Sequence, residues 1–144
     1  MRFHSRYFLF TFIVIHRLKI THTDLKLDNI LLVSSESSSV PLGQSPSKAK
    51  KVLNNSDIRL IDFGCAIFEE EYHPSIVSTR TPRAPEVILG MGWSYPCDLW
   101  SVGCILIQLL TGRPLFLIDN DLEHLAMMEV ALGKIPDRLV QASR

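Results

Sequence analysis

The chain has 144 residues, 47% hydrophobic and 21% charged, with a formal net charge of zero, which suits one small domain with a core of its own. This balance leaves no basic face for nucleic acid and no polybasic run for an anionic membrane. Cys65, Cys97 and Cys104 form no C-x-x-C pair and leave an odd thiol, so free cysteines in a reducing compartment are expected.

Residues 8–15 are an apolar run led by Arg2 and Arg6, loosely the outline of a secretory signal. No small-residue cleavage site follows, because His16-Arg17-Leu18-Lys19 comes next. The run is also shorter than the roughly 20 residues that span a bilayer. A buried helix is predicted instead, with residues 1–15 an atypical apolar segment ahead of a domain over 16–144.

Next come Thr21-His22-Thr23-Asp24-Leu25-Lys26-Leu27-Asp28-Asn29 and, behind a strand-like stretch at 58–61, Asp62-Phe63-Gly64. As chemistry, the first group offers a carboxylate, a lysine two residues on and an asparagine five residues on; the second offers another carboxylate. Phosphoryl transfer from ATP uses such a set. One carboxylate takes the attacking hydroxyl, a cation faces the transferring phosphoryl group, and an Asn–Asp pair holds Mg²⁺. Gly64 is expected to permit the backbone turn that aims Asp62 inward.

Between these motifs, residues 34–57 are rich in Ser, Pro, Gly and Lys and lack apolar periodicity. A flexible surface insertion is predicted there, in a hairpin whose strands include Val33 and residues 58–61. Ser45, before Pro46, is a candidate phosphorylation site. Glu69-Glu70-Glu71 reads as a solvated face.

Asp98 suits a helix N-terminus, where a carboxylate accepts exposed backbone N–H groups. The helix it opens runs through Leu110, is apolar on nearly every side and is predicted to be buried; it is too short to cross a bilayer. Gly112 and Pro114 stop it, and Cys104 within it is core packing. Asn120 and Glu123 then form a capping box for another helix, opened after Asp119. Leu122, Leu125, Ala126 and Val130 supply its apolar face, Gly133 ends it with Pro136 beyond, and His124 is a surface or packing residue.

The 21–29 stretch and Asp62-Phe63-Gly64 resemble the H-R-D-L-x-x-x-N loop and D-F-G of protein kinases. Ala84-Pro85-Glu86 and Asp98-Leu99-Trp100-Ser101-Val102-Gly103 look like the A-P-E and D-x-W-S-x-G segments. EHLAMME at 123–129, with THTDLK, VSTR, RAPEVIL, PCD and GCIL, is similar to the LAMMER, or cdc-like, dual-specificity kinases over about residues 16–136. This resemblance implies an α+β fold: a mainly helical kinase C-lobe with short β-hairpins and no N-lobe. It implies ATP and Mg²⁺ as cofactors. Asp24 would orient and deprotonate the substrate hydroxyl, and Lys26 would sit on the γ-phosphate. Asn29 and Asp62 would bind metal, Thr79 would hydrogen-bond Asp24 and Lys26, and Asp98 would brace the catalytic loop. Protein substrates are implied, among them Arg/Ser-rich splicing factors, in the nucleus or cytoplasm. No direct nucleic-acid or membrane contact is implied, and the oligomeric state is left open.

Several positions depart from the family pattern. Thr23 stands where most kinases carry the arginine that clamps a phosphorylated activation loop, so this loop is expected to be ordered without phosphate. Val130 ends the signature where the family has Arg, Pro82 replaces a Tyr, and Leu27-Asp28 replace Pro-Glu. Glu86 is expected to lack its arginine partner. The 144 residues contain no G-x-G-x-x-G loop and no V-A-I-K lysine strand. The isolated chain is therefore expected to bind nucleotide poorly and to be nearly inactive. The alternative is a catalytically dead remnant that acts only as a binding module. A small-molecule phosphotransferase, which shares H-x-D-x-x-x-x-N, is disfavoured by the A-P-E and D-x-W-S-x-G segments.

Overall fold

A computed structural model describes residues 5–42, 45–118 and 120–143; Arg2 and Asp119 lie outside them, as do the side chains of Arg6 and Ser45. The apolar run near the N-terminus becomes α1 (Ser5–Arg17). Among its described side chains, one face is enclosed. Phe12 and Ile15 are buried, whereas Leu9, Phe10, Ile13 and Val14 are exposed, which narrows the expected buried helix to a single stripe at i, i+3 spacing.

That stripe packs on Leu25, Val102 and Ile105, with Leu27, Ile30, Ile58 and Leu60 around them. Leu25 is fully enclosed, and this explains the apolar residue between two charged ones in the 21–29 loop. It points into the core, while its flanking neighbours Asp24 and Lys26 stay partly open to solvent. Burying a leucine stabilises by about 1.5–3 kcal/mol, so the loop is anchored from below.

Short antiparallel ladders frame the loop. β1 (Ile20–Thr21) pairs with β6 (Ile67–Phe68), and β2 (Ile30–Leu32) pairs with β5 (Ile58–Leu60). A bond from the Val33 amide to the Asp57 carbonyl extends the second ladder, as the strand reading predicts. The insertion itself differs from the irregular loop expected. It forms a two-stranded hairpin, β3 (Ser37–Leu42) with β4 (Ser45–Leu53). Its cross-strand partners include Val40 with Lys50 and Ser38 with Val52. Pairing of this kind needs no buried face, so hydrophobic periodicity does not announce it.

The helical part follows a short turn of helix, α2 (Pro85–Ile88). α3 (Pro96–Thr111) begins with proline in its first turn and ends on Gly112, whose φ of 75° gives the left-handed cap expected of it. Burial of α3 is one-sided: Cys97, Asp98, Ser101, Val102, Cys104 and Ile105 are enclosed, but Leu99, Ile107 and Leu110 are exposed. The all-round apolar character therefore did not translate into all-round burial.

α4 (Asp121–Leu132) is capped as predicted, with the Glu123 amide donating to Asn120 Oδ1 at 2.9 Å. Its packed face is only partly the predicted one. Leu125 packs as expected, but Leu122 and Val130 are exposed; Met128 is buried against Cys104, Phe116, Leu115 and Trp100, and His124, one turn before it, is buried against Phe116. The chain ends in α5 (Asp137–Gln141). No helix among the described residues is long and apolar enough to cross a membrane. Cys65 is exposed, and Cys97 and Cys104 are buried; all three are free thiols.

Candidate active site

Asp98 organises the site from beneath. Its Oδ2 accepts the His22 amide at 2.8 Å and His16 Nε2 at 3.0 Å, and its Oδ1 accepts the Thr23 amide at 3.0 Å. The carboxylate lies in the first turn of α3, yet none of these bonds goes to that turn's own amides. It serves the loop, as the resemblance implies. His16 was not singled out in the sequence; a histidine at the end of an apolar helix carries no signal until α3 is placed beside it.

Above this brace, three side chains meet. Lys26 Nζ donates to Asp24 Oδ2 at 2.7 Å, Thr79 Oγ1 donates to Asp24 Oδ1 at 2.7 Å, and the Thr79 amide reaches the same oxygen at 3.2 Å. Lys26 Nζ also lies 3.5 Å from Thr79 Oγ1. Thr79 comes from a segment more than fifty residues away in sequence, and its docking closes the 69–84 stretch onto the loop. Burial pushes the Asp24 carboxyl up, but the hydrogen bonds from Lys26 and Thr79 outweigh it and hold the group below its ordinary 3.8. The Asp24 bond in turn raises the Lys26 ammonium above 10.5. A carboxylate offers about four lone-pair sites. Three are taken here, which leaves one on Oδ2 for a further hydroxyl.

Asn29 and Asp62 are brought together by the β2–β5 ladder. The Ile61 amide donates to the Asn29 carbonyl at 3.0 Å, so Asp62 sits one residue beyond the position that faces Asn29. Asn29 is buried and donates Nδ2 to the Asp24 carbonyl at 2.9 Å. That bond commits the amide nitrogen, so Oδ1 is the atom left to offer a cation. Asp62 is exposed and contributes carboxylate oxygens. An amide oxygen and a carboxylate are the hard donors Mg²⁺ prefers, with waters and phosphate oxygens to complete its shell; the residues fit that ion.

The turn that presents Asp62 differs from expectation in one respect. The left-handed residue is Asp62 itself, at φ 63° and ψ 68°, and not Gly64. Aspartate tolerates this region better than most side chains. At Gly64 a Cβ would lie 3.4 Å from Asp62 Oδ1, an ordinary van der Waals contact, so space alone does not demand glycine there. Asp24, Gly64, Cys65 and Thr79 share the wall of an open cavity of about 570 Å³.

The 77–83 segment is tied down by residues that were not anticipated. Arg83 donates to the carbonyls of Ser78 and Val77 at 2.9 and 3.1 Å, and Arg80 pairs with Asp121 at the start of α4. Pro82 is buried and its carbonyl accepts from Ser101 Oγ at 2.8 Å. Glu86 has no ion-pair partner among the described residues. Lys19 pairs with Glu69 at 3.1 Å and with Glu70 at 3.9 Å, and Glu71 accepts the Phe68 amide at 2.9 Å, so all three acidic residues have local partners.

Residues 2–141 match the family described as Protein kinase domain. The chain is 55% identical over 129 residues to the dual specificity protein kinase lkh1 of Schizosaccharomyces pombe, covering 90% of this chain and 19% of that protein. It is 48% identical over 130 residues to the dual specificity protein kinase CLK4 of Homo sapiens, covering 90% and 27%. With the serine/threonine-protein kinase AFC1 of Arabidopsis thaliana it shares 54% identity over 132 residues, covering 87% and 28%. It thus spans between about a fifth and somewhat over a quarter of the length of these relatives. Among solved structures, the crystal structure of the PF14_0431 kinase domain superposes with a TM-score of 0.85 at 41% identity, covering 94% of this chain and 41% of that one.

Proposed function

The chain belongs to the protein kinase family, related to the LAMMER-type dual-specificity kinases, and from that premise we propose that its loop serves transfer of the ATP γ-phosphoryl group to protein hydroxyls. The observation that carries this reading is the Thr79–Asp24–Lys26 constellation. A carboxylate kept ionised by three donated bonds has one lone pair left for a substrate hydroxyl. Asp24 orients that hydroxyl and receives its proton. Lys26, held 2.7 Å from Asp24, places its positive charge where the transferring group gains negative charge. Mg²⁺ and ATP, when bound, supply the phosphoryl group and neutralise its developing charge. Asn29 and Asp62 are the residues that would hold the metal. A complete Asp24, Lys26, Asn29 and Asp62 set favours this over a binding-only remnant.

Ser and Thr hydroxyls of proteins are the proposed acceptors, with Arg/Ser-rich splicing factors as the substrate class and an intracellular location, nuclear or cytoplasmic. The test is a chimera that joins this segment to the upstream nucleotide-covering half of a relative. Asp24→Asn should lower the chemical step there by about 10³-fold or more, with little change in ATP affinity. Turnover within a few-fold of the unsubstituted chimera would overturn the assignment. These 144 residues alone should show no saturable rise in thermal midpoint with Mg-ATP, because they contain no G-x-G-x-x-G loop to cover the phosphates.

A further inference from the structure

Thr23 is fully enclosed, at 1% exposure, and its φ is 64°. For a β-branched side chain this left-handed conformation is a genuine outlier, and such strain persists only where the surroundings over-determine the backbone. Two bonds do so. The Thr23 amide donates to Asp98 Oδ1 at 3.0 Å, and the Thr23 hydroxyl donates to the Cys65 carbonyl at 2.7 Å. The second bond crosses between segments 42 residues apart in sequence.

Its far end is the last residue of a 3₁₀ turn (Phe63–Cys65) whose leading residue is Asp62, itself left-handed, and which the Ala66 amide closes on the Phe63 carbonyl at 3.0 Å. A carbonyl fixed at one end of so short a turn fixes the backbone of Asp62 at the other. On the loop side, Thr23 is continuous with Asp24, and its amide shares the Asp98 carboxylate with that of His22. The hydroxyl thus links the strand of chain that carries the base to the turn that carries the proposed metal-holding carboxylate.

We propose that Thr23 is a positioning residue whose hydroxyl pins the Asp62–Cys65 turn to the loop, so that a neutral, half-buried hydrogen bond sets the direction of Asp62. The functional meaning rests on the reading of Asp62 given above; the bond does not. A threonine suits the task because its donor is short, its branched Cβ has few rotamers, and burial removes competing water.

The test uses the chain as it is, labelled with ¹³C at cysteine carbonyls, and needs neither nucleotide nor metal. Failure of the phosphoryl-transfer reading in the chimera is therefore distinguishable from failure here. Thr23→Val keeps the shape and removes the donor. It should speed amide exchange over residues 62–68 by roughly five- to a hundredfold relative to the interior of α3. The Cys65 carbonyl resonance should move at the same time, and Thr23→Ser should restore both. In the unsubstituted chain, that resonance should also show a deuterium isotope shift from the hydroxyl, a measurement that stands even where the valine variant does not fold. An unshifted Cys65 carbonyl, exchange that rises equally everywhere, or a serine variant no better than valine would each overturn the proposal.

Discussion

Replacement of Asp98 by asparagine is the sharpest probe of how this site is built. The native carboxylate, 1% exposed, accepts three bonds at 2.8, 3.0 and 3.0 Å, from two backbone amides and one imidazole. Asparagine has a single acceptor oxygen, and its NH₂ would face an N–H that also donates. One pair of donors is therefore left opposed in a buried place whichever way the amide points. A hydrogen bond to a carboxylate contributes about 1.5–3 kcal/mol, and an orphaned buried amide costs about 1–3 kcal/mol. With two bonds weakened or lost, Asp98→Asn should lower unfolding stability by about 3–5 kcal/mol, a large part of the roughly 5–15 kcal/mol of an ordinary domain. Urea unfolding followed by far-ultraviolet circular dichroism measures it, with the slope checked for constancy. A loss below about 1 kcal/mol would refute the argument, since it would mean the loop amides find other acceptors without strain.

Other expectations follow from single contacts. Thr79→Val removes one of the two side-chain donors to Asp24, so the Asp24 carboxyl should titrate higher by NMR; an unchanged titration would show that Thr79 does not hold it. Asp24 is depressed below 3.8, so its contribution to closing residues 78–80 onto the loop should be present above the ordinary carboxylate range and lost as pH falls through the folded value. Lys26 is raised, and its contribution should be complete below 10.5 and lost only as pH rises through its higher folded value. Amide exchange of residues 78–80 against pH reads both limbs, and a flat profile would contradict them. On α4, Met128→Ala should destabilise by about 2–5 kcal/mol and Val130→Ala by no more than about 0.5 kcal/mol; equal losses would restore the sequence-derived face. A thiol reagent at neutral pH should modify Cys65 quickly, while Cys104, whose thiol burial pushes up to about 11, and Cys97, raised further, react only on unfolding.

The two short motifs were legible because their chemistry is local. Asp24, Lys26 and Asn29 lie within six residues, and the loop's rigid backbone leaves little choice in how they face one another. Two helix ends were legible for the same reason: Gly112 and Asn120 act on backbone within one turn of themselves. The face of α4 was legible only at Leu125. Leu122 and Val130 are more apolar than His124, but the helix meets Phe116 and Cys104 on the histidine side, and contact area at that seam outweighs hydropathy along the strip. The hairpin at 37–53 escaped for a related reason, since its described apolar residues Val40 and Val52 are exposed and give alternation little to reveal.

By itself, then, the amino-acid order determined which atoms are available: the acid, the cation, the amide and the second acid, with the helices that stop where proline and glycine stop them. Only the folded chain decided where they aim. The left-handed turn at Asp62, the grip of Asp98 on two loop amides, the reach of Thr79 to Asp24 and the Thr23–Cys65 bond each join segments or conformations that no local rule predicts. Such bonds form between groups tens of residues apart, whose meeting depends on the shared core of Phe12, Leu25 and Val102 beneath them.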